Sequence, residues 1–125
     1  MMVSATRLLG AWGEAQTAAY LRRNGYSIVA ANYRTRFGEI DLIAKKNGVL
    51  AFVEVKTRKF GINVRPSEQV TLKKLERIRL AGLAYLAESE CNLPVRFDVA
   101  EVFAPENLSE PPVRIRYLEN VYFEQ

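Results

Sequence analysis

The sequence predicts an α/β fold: a central mixed β-sheet flanked by helices. Three observations carry this reading. Two long segments, about Ser4–Asn24 and Ser67–Glu90, place apolar residues at helical period. Short apolar runs bounded by Gly, Asn and Pro lie between and after them, as strands do. The pair Asn47-Gly48 then marks an antiparallel hairpin, while a strand, the second helix and another strand follow as a βαβ crossover, which makes those two strands parallel.

The elements follow in order. Leu8, Ala11, Trp12, Ala15, Ala18, Ala19 and Leu21 form the predicted apolar face of the first helix, and Gly25 is placed to stop it. Ser27–Tyr33 reads as a first strand, Glu39–Ala44 as a second and Val49–Thr57 as a third. Arg58–Pro66 reads as a loop, after which Ser67 is placed to cap the second helix. Leu72, Leu75, Ile78, Tyr85 and Leu86 line its predicted apolar face. Val95–Val102 and Val113–Leu118 complete the strands, and Pro105–Pro112 is a loop between them. Residues 1–118 are expected to form one domain. The tail Glu119–Gln125 resembles a tag-protease recognition sequence and is set aside from the functional reading.

Composition narrows the chemistry. The 125 residues, 49% hydrophobic and 26% charged, suit one domain with a real core. No apolar run approaches the roughly 20 residues that span a bilayer, and the start of the sequence lacks a signal-peptide layout. No membrane association and a cytoplasmic location are the expectations. The single cysteine, Cys91, excludes an internal disulfide. Histidine is absent, which excludes Ser-His and Cys-His catalysis and histidine-ligated zinc. Any catalysis then falls to carboxylates and lysine, with or without a hard, oxygen-loving metal. Net charge of +4 mildly favours anionic partners.

The hairpin concentrates that chemistry. A two-residue Asn47-Gly48 loop faces Lys46 with Val49, so opposed positions sum to 95. Asp41 is then expected opposite Glu54, and Glu39 opposite Lys56. Alternation puts Glu39, Asp41 and Ile43 on one face with Phe52, Glu54 and Lys56, and turns Ile40, Leu42, Val53 and Val55 to the other. Two ionised carboxylates about 5 Å apart repel by roughly 3 kcal/mol at an effective dielectric near 20. The protein can protonate one, expose both to water, or bind a cation between them. The third option makes a hard-metal site, with Lys56 placed to touch a water or phosphate. The plain alternative is a solvated sheet face with a Glu39–Lys56 surface pair.

These residues resemble a known pattern. Asp41, then Glu54-Val55-Lys56 after twelve intervening residues, resembles the core of PD-(D/E)XK, restriction-endonuclease-like nucleases. The match extends to the YraN family of uncharacterised bacterial proteins, which resemble Holliday-junction resolvases. It is carried by Gly13-Glu14, Tyr20-Leu21, Gly25-Tyr26, Asn32-Tyr33-Arg34, Gly38–Ile43, Phe52–Arg58, Lys74 and Phe97-Asp98-Val99, over about residues 10–103. Ile40 departs from the superfamily label, standing where it has proline.

The resemblance implies a restriction-endonuclease-like core and a metal-dependent endonuclease acting on DNA, with branched or junction DNA among its substrates. Asp41 and Glu54 would ligate Mg²⁺ or Mn²⁺, with the Val55 carbonyl as a further ligand. Lys56 would orient or deprotonate the attacking water, or stabilise charge on the phosphate. Glu14 would hold a metal-bound water, and Glu39 would pair with Lys56 or support the site from behind. A homodimer is also implied, although no dimer interface is legible. The alternative class is a nucleic-acid-binding module that keeps the fold without cutting.

A nuclease also needs a basic cradle, because phosphate contacts supply most of the affinity. The candidates are Arg34 and Arg36 before the second strand, Arg58 and Lys59 after Lys56, and Lys74 in a helical patch with Lys73 and Arg77. The loop Arg58–Gly61 is favoured among these. If the second helix starts at Thr71 rather than Ser67, its lysines oppose the helix dipole and a binding role for them gains weight.

Overall fold

A computed structural model of the chain describes residues 4–59 and 72–121. The elements run α1 (Ala5–Arg23), β1 (Ser27–Arg34), β2 (Glu39–Lys46), β3 (Val49–Lys59), α2 (Leu72–Ser89), β4 (Val95–Ala104) and β5 (Arg114–Leu118). The five strands form one mixed sheet in sequence order, with β3 and β4 parallel and the other neighbours antiparallel. No helix among the described residues is long and apolar enough to cross a membrane.

Local chemistry explains the boundaries. The Ser4 hydroxyl accepts from the Arg7 amide at 3.2 Å and caps α1. At the other end Gly25, with φ +88°, lets the Tyr26 amide return to the Leu21 carbonyl at 2.9 Å. Asn47 and Gly48 both have positive φ, which is the two-residue turn that matches strand twist. The hairpin register accordingly runs from Lys46↔Val49 to Leu42↔Val53.

The core has two layers, one on each face of the sheet. Ala18 and Leu21 of α1 pack with Leu42, Ala44, Ala51, Val53 and Ala100. Ala81 of α2 packs on the opposite layer with Ile40, Ile43, Leu50 and Phe52. The helices approach closely because small residues face the sheet. A Cβ on Gly13 would stand 1.8 Å from Thr57 Oγ1, and one on Gly82 would stand 2.6 Å from Phe52 Cε2.

The structure corrects three expectations about faces. The buried stripe of α1 is Gly13, Thr17, Ala18 and Leu21, while Leu8 is 55% exposed and Ala11 and Ala15 are exposed too. Gly13 lets this stripe approach β3 at Thr57, and the face turned to the sheet is therefore offset from the predicted one. Leu72, expected on the apolar face of α2, is 79% exposed, whereas Ile78 is buried. Ile40 breaks the predicted alternation and packs on the α2 layer with Ile43 rather than on the α1 layer with Leu42. Arg58 and Lys59 continue β3 rather than opening a loop. The rest of that expected loop, and the Ser67 cap, lie outside the described residues.

Candidate active site

The site is built on a fork in the sheet. Pairing between β2 and β3 stops at Leu42↔Val53, yet β2 continues against β1 to Glu39 and β3 continues against β4 to Lys59. The expected ladder pair of Asp41 with Glu54 is therefore not formed. Asp41 Oδ2 instead accepts from the Val55 amide at 2.8 Å, so a side chain satisfies a strand donor where the ladder has ended. Glu54, only 9% exposed, sits on the other arm of the fork. The face carrying these residues lies under α2, which overturns the solvated-face alternative.

A cleft of about 550 Å³ opens over this fork. Asp41, Glu54 and Lys56 line it together with Lys73, Lys74 and Arg77 of α2. Glu54 Oε1 takes the Lys56 ammonium at 3.2 Å and also pairs with the Lys74 ammonium. Lys74 thus lies inside the acidic cluster rather than on a separate basic rim, and Lys73 and Arg77 extend the positive wall.

The predicted Glu39–Lys56 pair does not form. Glu39 opens β2 and turns toward β1, where its Oε1 meets Arg34 Nε at 3.6 Å. Asn32 makes the remaining link. With its amide nitrogen turned toward the two carboxylates, it donates to Glu14 at 3.0 Å and to Glu39 at 2.9 Å. Asn32 holds φ at +52° in the middle of a strand, just past a bulge in the β1–β2 register. Nothing in the composition pointed to Asn32. Its signals in the sequence were its place in the Asn32-Tyr33-Arg34 stretch of the family resemblance and an asparagine, tolerant of left-handed backbone, inside a strand pattern.

Electrostatics set Asp41 apart. Burial pushes its carboxyl up to about 6; the Val55 amide pulls it down, and Glu14, Glu54 and Glu39 push it further up. Burial also raises Glu14, eased by the Asn32 amide. Lys56 is lowered by burial and by the neighbouring Lys74, against the pull of Glu54. Lys74 is raised, because its bonds to Glu54 and Lys56 outweigh its burial.

The other expected phosphate contacts divide. Arg34 is tied to Glu39, and Arg36 stacks its guanidinium over Phe37 at 4.8 Å beside the Thr35–Gly38 turn. Arg58 Nε lies 3.8 Å from Glu101 with its side chain mostly buried, and Lys59 borders a different, apolar cavity with Leu8, Leu9 and Leu108. Neither Arg58 nor Lys59 lines the cleft, because the strand runs straight on and carries them past it.

The donor set admits a hard cation. Asp41 and Glu54 supply carboxylate oxygens and the Val55 backbone lies between them, with room for water or phosphate as further ligands. Among the described residues, no three acidic side chains converge into a preformed cage. A cation would also relieve the crowding of carboxylates that pushes Asp41 up.

The mixed sheet with a helix on each face defines an α/β protein, consistent with a nuclease-like core. Within that class the chain belongs to the uncharacterised protein family UPF0102, whose model matches residues 13–102. It is 44% identical over 119 residues to a UPF0102 protein of Alkaliphilus oremlandii, covering 91% of this chain and 97% of that one. A UPF0102 protein of Symbiobacterium thermophilum is 45% identical over 119 residues, covering 94% and 98%. One from Nocardia farcinica is 49% identical over 98 residues, covering 75% of each chain.

Proposed function

We propose that this chain is a metal-dependent endonuclease that hydrolyses DNA phosphodiesters, with branched or junction DNA among its substrates. The observation that carries the reading is the convergence of Asp41, Glu54 and Lys56 at the sheet fork, in a cleft walled by Lys73, Lys74 and Arg77. Asp41 and Glu54 would hold Mg²⁺ or Mn²⁺ there. Such an ion supplies Lewis-acid activation of the phosphate and a nucleophilic water at neutral pH.

The remaining roles fall to the chain itself. Lys56, lowered from the ordinary lysine range, is suited to exchange a proton with the attacking water or to neutralise charge on the phosphate. Lys73 and Arg77 suit the flanking phosphates, which bind by charge and not by base identity. Glu14 and Glu39, linked by Asn32, support Asp41 from the side of α1 and β1.

One observation favours the alternative, a nucleic-acid-binding module that does not cut. Glu54 is already neutralised by two lysines of its own chain. The deciding experiment incubates the protein with linear, flapped and four-way DNA in Mg²⁺, Mn²⁺ or EDTA, beside Asp41→Ala and Lys56→Ala. Metal-dependent products lost in both variants are expected. Products that persist in both sink the assignment, and binding without cleavage in every metal selects the module. Single-stranded and duplex RNA in the same panel test the choice of DNA, and sedimentation of the free protein tests for a homodimer.

A further inference from the structure

We infer that Lys74 is an exchangeable internal cation: it holds Glu54 until a divalent metal takes its place, and is then released into the cleft to meet the substrate phosphate. The inference rests on the reading of this cleft as a metal site.

Two ammonium groups share one carboxylate oxygen. Glu54 Oε1 meets Lys56 at 3.2 Å and also meets Lys74. They arrive on different elements. Lys56 stands on β3, two residues from Glu54, in a strand paired with β4 on through Lys59. Its side chain is only 24% exposed, which leaves it less open space to withdraw into. Lys74 reaches across from α2 on a long flexible side chain that is 44% exposed, so it is the partner able to leave.

Charge explains why it would leave. Four acids, Glu14, Glu39, Asp41 and Glu54, act on this fork, and among the described residues Asp41 forms no ion pair with an ammonium, Lys74 acting on it only by charge. A divalent ion shared by Asp41 and Glu54 serves both carboxylates. Lys74 would then face a doubly charged ion across one carboxylate, and the repulsion favours its departure. Lys73 and Arg77, at i−1 and i+3, line the same cleft. A displaced Lys74 joins them, making a three-cation wall where a phosphate would lie. Metal occupancy thereby strengthens anion binding, a coupling that must be reciprocal.

The test is direct Mn²⁺ binding to the full chain, without nucleic acid, by electron paramagnetic resonance and calorimetry. Lys74→Met keeps most of the unbranched side chain and removes its charge. It is expected to bind Mn²⁺ about tenfold more tightly than the wild type. Lys74→Gln should follow it, Lys74→Arg should restore wild-type affinity, and Glu54→Gln should lose binding. Circular dichroism checks that each variant is folded. Equal or weaker Mn²⁺ binding by both neutral variants overturns the inference, as does Mn²⁺ binding by no form of the chain. If the affinity pattern appears but the chain cuts no DNA, the nuclease reading alone falls.

Discussion

Asp41 and Asp98 are two aspartates of one sheet held in opposite ways. Asp98 on β4 is 0% exposed, and its carboxylate is fully engaged. Arg96 donates to it from Nε at 2.9 and 3.1 Å and from a terminal nitrogen at 2.9 Å; the Tyr117 hydroxyl donates at 2.6 Å and the Asn120 amide at 3.1 Å. Asp41 is less buried, accepts one backbone amide and is surrounded by Glu14, Glu39 and Glu54. The depth of an acid therefore does not mark it as reactive; the charge of its neighbours does. Asp98 pins β4, β5 and the following residues together, whereas Asp41 is held in an environment that disfavours its charge.

The largest effect should come from breaking the satisfied member. Asp98→Ala leaves Arg96, the Tyr117 hydroxyl and the Asn120 amide without their acceptor. A loss of about 3 kcal/mol in unfolding free energy is expected, read by urea denaturation, with Mn²⁺ affinity unchanged while the variant is folded. A change below about 1 kcal/mol would show that the network contributes little.

Asp41→Asn should act the other way. Burial pushes the folded carboxyl up to about 6 from the ordinary 3.8, so the folded state prefers the protonated acid. The contribution of Asp41 to stability should rise as pH falls through about 6 and level off below about 4. The asparagine variant keeps an oxygen for the Val55 amide and loses the charge. In EDTA it should be more stable than the wild type by about 2–3 kcal/mol at pH 8, with the difference shrinking to about 0.5 kcal/mol near pH 4 and vanishing below that. It should also lose metal binding. Equal melting curves at pH 8 would remove the contrast with Asp98.

The smallest effect tests the link through Asn32. Asn32→Asp replaces the donor between Glu14 and Glu39 with a third carboxylate. The Asp41 titration, followed by NMR, should move upward, and folding stability at pH 8 should fall by about 1 kcal/mol or less. A downward shift would show that Asn32 does not act on this cluster.

The sequence by itself determined the elements and the hairpin register. Period, turn residues and caps are local, so Gly25 and Asn47-Gly48 ended and folded their segments as their backbone preferences require. It also singled out Asp41, Glu54 and Lys56, because charge inside strands is costly and therefore conspicuous. What surrounds those residues was decided only by tertiary structure. The fork that replaces the Asp41–Glu54 pair, the rotation of Ile40 onto the α2 layer and the diversion of Glu39 to Arg34 depend on how β2 divides its pairing between two neighbours. Lys74 meets Glu54, and Asn32 meets Glu14, across gaps of 20 and 18 positions in sequence. No local pattern encodes such meetings. They follow from helix packing against the two faces of the sheet, set by the close contacts at Gly13 and Gly82.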